Sequence, residues 1–109
     1  MARKATIKRG SGNVFADLGL PNPEQELLKA QLTLQIYRIV KSRGLTQAQA
    51  GVVLGIKQPH VSALMRSRAG NFSVGRLFEF LIALGQDVKI TVKPTRKEQG
   101  EMLVATREL

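Results

Sequence analysis

Apolar residues recur at helical spacing in four stretches of this 109-residue chain, and alternate with polar ones in a fifth. The first stretch runs from Asn22 to about Ser42, where Leu28, Leu32, Ile36, Ile39 and Val40 mark one stripe of a long helix. Its start is written locally: Asn22 can cap, Pro23 suits the first helical position, and Gln25 can complete a capping box. Glu24 and Glu26 complement the positive helix end, Arg38, Lys41 and Arg43 the negative one, and Gly44 closes it. A second helix follows Thr46 as cap, with Ala50, Val53 and Leu54 as its apolar positions and Gly55 after them. A third runs from about Gln58 to Arg66, with Pro59 in its first turn and Val61, Leu64 and Met65 turned inward. Ser73 caps a fourth, ending near Leu84 and Gly85. There Val74, Leu77, Phe78, Phe80, Leu81, Ile82 and Leu84 leave almost no polar face. Such a helix is expected to be covered twice, by its own core and by a second copy of the chain. The fifth stretch, Asp87 to Lys93, sends Val88, Ile90 and Val92 one way and Lys89, Thr91 and Lys93 the other, which predicts a half-buried strand. A lone strand needs a partner; its two-fold mate is preferred here over a hairpin with residues 102–106. Ahead of the helices, Val14, Phe15, Leu18 and Leu20 form a short apolar lead-in expected to cover one end of the core.

The second and third helices, joined at Gly55, make a helix-turn-helix plan. In register with it stand Gln47 at the opening of the second helix, small Gly51 four residues on, the turn glycine Gly55 with apolar Ile56 behind it, then Val61 and Leu64. These residues resemble the helix-turn-helix of phage Cro and repressor proteins, the XRE-type DNA-binding family, over about residues 23 to 85. Gly51 departs from the family's usual Ala, and a mid-helix Gly costs roughly 1 kcal/mol against Ala. The resemblance implies an all-α, lambda-repressor-like domain of four to five helices, here with a C-terminal β-strand. It also implies double-stranded DNA as partner and a homodimer on a pseudo-palindromic operator. Residues at the start of the recognition helix and one turn on do the reading in the family; carried over, these are Lys57, Gln58, Pro59, Ser62 and Ala63. Gln58 could make a bidentate contact to adenine, and Pro59 and Ala63 could pack on a thymine methyl. Gln47 matches the position that holds a phosphate, and the helix end behind Thr46 favours an anion. Arg66, Arg68 and Asn71 join Lys57 as further phosphate candidates.

Charge sharpens this picture. Seventeen Lys and Arg against eight Asp and Glu give a formal charge of +9, which favours a polyanionic partner. No Asp or Glu occurs between Glu26 and Glu79, whereas Lys29, Arg38, Lys41, Arg43, Lys57, Arg66, Arg68 and Arg76 do. A purely solvated helical surface normally mixes signs. His60, the one histidine, faces either phosphate or solvent, since a catalytic or metal role lacks partners in a chain without cysteine. The Gly10-Ser11-Gly12 run is not a phosphate loop, for no Gly-Lys-Ser/Thr follows. Five aromatics, one Tyr and four Phe, sit mostly at apolar positions and offer no stacking platform for RNA. No catalytic constellation, cofactor or metal site is expected, and no membrane association. The apolar stretch around residues 27–40 is too short and too polar to span a bilayer. A cytoplasmic, nucleoid-associated protein is expected.

The expected organisation is a basic flexible arm at 1–13, a DNA-binding domain at 14–85, a dimerisation strand at 86–94 and a mobile tail at 95–109. The arm holds Arg3, Lys4, Lys8 and Arg9; it reads as a solvated terminus, with contact to phosphate or the minor groove as the alternative. Phe80, Ile82, Leu84, Val88, Ile90 and Val92 are the expected dimer interface, and Thr46, Gln47, Lys57, Gln58, Pro59, His60, Ser62, Ala63, Arg66, Arg68 and Asn71 the expected DNA-binding set. The function read from these features is a sequence-specific transcriptional regulator, a repressor in type. The apolar helix and strand of residues 75–94 also resemble the tail of HigA-like antitoxins, which repress their own operon and neutralise a RelE/HigB-type ribonuclease toxin. A third reading, a pure interaction protein, predicts DNA binding indifferent to sequence.

Overall fold

A computed structural model describes residues 19, 22–66 and 72–106. The expected arm, nearly all of the apolar lead-in, Arg68 and Asn71 lie outside the described residues. The chain divides into two compact units, residues 29–90 on one hand and residues 1–28 with 91–109 on the other.

Four helices are formed among the described residues: α1 (Pro23–Ser42), α2 (Gln47–Leu54), α3 (Gln58–Met65) and α4 (Val74–Ala83). α1 begins at Pro23 and carries Glu24 and Glu26 in its first turn, where acid complements the helix dipole. Asn22, however, adopts φ 52°, not the extended geometry of a capping residue. Its carbonyl accepts from Glu26 N–H at 3.0 Å. The full capping box forms one helix later, at Thr46: Thr46 Oγ1 accepts from Gln49 N–H at 3.1 Å, and Gln49 Oε1 accepts from Thr46 N–H at 2.9 Å. Ser73 caps α4 in the same manner, accepting from Arg76 N–H at 3.1 Å.

The core of residues 29–90 is closed by Leu32, Ile36, Ile39 and Val40 from α1, Ala50 and Leu54 from α2, Val61 and Leu64 from α3, and Leu77, Phe80, Leu81 and Leu84 around α4. Each large member removed from water contributes about 1.5–3 kcal/mol. Thr33 is fully buried as well, and its hydroxyl donates to Lys29 O at 2.7 Å, so no polar group is left open there. In the first turns of α1 Leu27, not Leu28, is the buried residue. Met65 is only half-buried, and Val53 lies at the surface.

Two expectations need correction. α4 does not present its whole apolar surface to a partner: Phe80 and Leu84 are enclosed by the chain's own core, at 1% and 0% exposure, while Ile82 points outward at 59%. Phe80 and Leu84 therefore present nothing to a second copy. The strand expected over 86–94 is also not formed among the described residues. Residues 86–95 carry no regular structure, and among the described residues no backbone hydrogen bond engages 87–94. The physical reason is that a strand is defined by its neighbour, and neither the alternative hairpin with 102–106 nor any other strand is present among the described residues. Ile90 and Val92 stay exposed, and Val88 is half-buried.

Candidate nucleic-acid interface

The interface is built on α2 and α3, which pack on each other across the turn at Gly55. Gly55 takes φ 73°, ψ 31°, a left-handed conformation that a side chain makes costly. Its N–H and that of Ile56 both donate to Gly51 O, at 2.8 and 3.0 Å, so one carbonyl closes the helix and starts the turn. Lys57 alone then separates Ile56 from the first residue of α3. Pro59 stands in the first turn of α3, where its missing N–H has no helical use.

This arrangement sorts the side chains of α3 cleanly. Val61 and Leu64 are fully buried, which fixes the rotation of the helix about its axis. Gln58, Pro59, His60 and Arg66 are then exposed and Ser62 and Ala63 partly so. Gln58, Pro59 and Ser62 line one shallow groove together with Gln47 from the start of α2. Four of the expected DNA-binding residues, from two helices, are thus brought to one place. Lys57 and His60 sit with Gln58 along an adjoining open concavity bounded by Ala48, Gly51, Val52, Gly55 and Ile56. The rings of His60 and Phe72 meet edge to face at a centroid distance of 6.1 Å, and Phe72 in turn meets the buried Phe80 at 5.0 Å. His60 is thereby tied to the core through an aromatic run, a link that sequence spacing alone does not show.

Both helix starts are electropositive. Of the four backbone N–H groups that open α2, that of Thr46 is taken by Gln49 Oε1 and that of Gln49 by Thr46 Oγ1. Those of Gln47 and Ala48 remain directed out of the helix end, where an anion is favoured. Thr46 thus acts first as a cap, and Gln49 and Ala48 stand at the same helix end, though the sequence reading does not single them out. The Thr46-x-x-Gln49 spacing is the signal that points to Gln49. α3 has no side-chain cap at Lys57 and no acid in its first turn. Lys57 stands at the start of α3 and Arg66 at its end; these two, with Arg38, Lys41 and Arg43 elsewhere in the chain, make no ion pair among the described residues. The cation Arg76, by contrast, is paired with Glu79 at 3.0 Å. The arrangement can hold phosphate oxygens at the helix ends while the exposed side of α3 meets base edges. Among the described residues no group of three or more His, Cys, Asp or Glu is placed to hold a metal ion. No described helix is long and apolar enough to cross a membrane.

Comparison with known proteins agrees with this geometry. The profile of a helix-turn-helix domain family matches residues 14–93. The fold is similar to a solved structure described as a "Putative XRE Family Transcriptional Regulator", at 35% sequence identity and a TM-score of 0.69, over 75% of this chain and 92% of that one. No match is found among curated proteins. On the paired helices, the Gly55 turn and these two matches together, the chain belongs to the XRE family of helix-turn-helix, DNA-binding transcriptional regulators, which are not enzymes.

Proposed function

We propose that the protein is a sequence-specific transcriptional repressor that binds a pseudo-palindromic operator as a homodimer. The observation that carries the reading is the shared groove of Gln47, Gln58, Pro59 and Ser62, backed by the fully buried Val61 and Leu64. It supports a recognition helix that enters the major groove with its polar side outward, while α2 holds the phosphate backbone. Gln58, with Ser62 one turn on, is assigned to base reading. His60, Lys57, Arg66, Thr46 and Ala63 flank it, and Arg68 and Asn71 are proposed to continue the phosphate contacts. Control is steric: a protein seated on promoter DNA excludes other proteins from it. The action is at DNA, so the protein is expected in the nucleoid.

For the dimer, Ile82 and the alternating segment of Val88, Ile90 and Val92 supply apolar surface, and the backbone of 87–94, which makes no hydrogen bond among the described residues, can pair with a two-fold mate. The Lys89 and Lys93 side would then face water. Two recognition helices about 34 Å apart meet successive major grooves. Selection of sites from a random DNA pool at physiological salt tests the whole reading. An inverted repeat with half-sites one helical turn apart is expected; a pool that never enriches refutes it.

A second reading, as a HigA-like antitoxin, is favoured by one observation: Met102 and Leu103 in the tail are exposed, at 40% and 49%. These would dock on a RelE/HigB-type toxin. Affinity purification of the chain from its own host separates the two, since the antitoxin brings a small ribonuclease with it and the stand-alone repressor does not.

A further inference from the structure

The helix-turn-helix of this chain contains one close backbone approach, at Gly51. A Cβ placed on Gly51 would lie 2.8 Å from Ile56 O and 3.5 Å from the Cγ2 of Val61, whereas ordinary contact to a Cβ starts at 3.4 Å. The close neighbour is backbone, and it cannot swing aside as a side chain does. It is also held from both ends. Ile56 N–H is bound to Gly51 O at 3.0 Å, and Gly55 before it is fixed in its left-handed conformation by a bond of 2.8 Å to the same oxygen. On the other side only Lys57 intervenes before α3 begins at Gln58. Any relief of a clash at Ile56 O is therefore delivered to the start of α3.

We propose that Gly51 is a positioning residue for base recognition, its missing side chain letting the Ile56 carbonyl close onto α2 and so setting where α3 presents Gln58, Pro59 and Ser62. An Ala here would set its Cβ 2.8 Å from a backbone oxygen, closer than the turn of this chain accepts without a shift. A Cβ here requires a displacement of about half an ångström to restore ordinary contact, which is the tolerance within which a recognition constellation must be held. Phosphate binding is far less demanding, because long flexible cations follow a shifted backbone and carry no base information. The inference rests on the reading of α3 as a base-reading helix.

The test is Gly51→Ala in the full chain, compared with wild type on its selected site and on random-sequence duplex. Folding is monitored by circular dichroism at low temperature. Gly75→Ala is the control, since a Cβ at Gly75 meets only Ser73 Oγ at 4.0 Å. The expected result is a folded Gly51→Ala protein that loses about tenfold or more in affinity for the selected site, the size of a lost base contact. Its affinity for random duplex stays within about twofold of wild type, as phosphate contacts dictate, and Gly75→Ala binds both as wild type does. Equal binding of the selected site by Gly51→Ala overturns the proposal. So does a parallel loss on both DNAs, or a variant that does not fold, because either assigns Gly51 to stability alone. A wild-type protein that selects no site at all refutes the regulator reading instead, so the two failures are told apart.

Discussion

Gln58 and Ser62 stand one helical turn apart on the open side of α3, and both line the groove that also holds Gln47. Replacing Gln58 by Ala is expected to lower affinity for the selected operator by about 1–3 kcal/mol, the worth of one good bidentate base contact. Binding to random DNA should not change, and a competition titration with the two duplexes reads the difference. Thr46→Ala acts on another property. It removes the hydroxyl that satisfies Gln49 N–H and is expected to destabilise the fold by about 1 kcal/mol, seen as a lower urea midpoint at unchanged slope. At this scale the sequence is a good guide wherever the chemistry is local. Thr46, Gly55 and Pro59 each act through their own backbone geometry or that of a near neighbour, and each sits as its residue type predicts. Asn22 is the exception, because its backbone is left-handed and the cap is lost with it. Gly51 was legible only as a small residue. Its reason is the approach of the Ile56 carbonyl, which depends on how the turn closes in three dimensions.

Among the elements, α4 separates most sharply what periodicity can and cannot tell. Its apolar residues occupy nearly every position, so no stripe stands out, yet the fold buries Leu77, Phe80, Leu81 and Leu84 and leaves Ile82 in water. Only packing decides which of two apolar faces is inside. Phe80→Ala is therefore expected to act on the fold, at about 3–5 kcal/mol, a large part of the stability of so small a domain. Arg76, stacked at 4.9 Å over the Phe80 ring and paired with Glu79, adds little at the surface. Ile82→Glu, in contrast, should leave the thermal transition within a few degrees of wild type. In the proposed dimer it places a charge in an apolar contact, and the sedimentation coefficient should fall to that of a monomer. A variant that stays dimeric would move the interface elsewhere. The alternation over 87–93 is plain in the sequence, but no strand forms there among the described residues. A sequence shows the side chains that a strand would need, and not the neighbour that makes it one.

For the whole molecule, a formal charge of +9 dominates encounter with a polyanion. Affinity for random DNA is expected to fall linearly on a log–log plot against salt, with Lys57→Ala and Arg66→Ala each reducing the slope by about one. Filter binding between low and physiological salt measures this. The long interval without acid from Glu26 to Glu79 is visible in the sequence; that Arg38, Lys41, Arg43, Lys57 and Arg66 lack carboxylate partners among the described residues is visible only in the fold. One further property follows from the backbone of residues 87–94, which makes no hydrogen bond among the described residues. In the proposed dimer two copies must meet before these groups exchange water for a protein partner, so the species that occupies DNA grows as the square of the protein present while monomers predominate. Halving the supply then lowers occupancy about fourfold by mass action. Dilution at cell division or a modest change in synthesis would release a promoter abruptly, and the threshold would be set by how well one short segment finds its own copy.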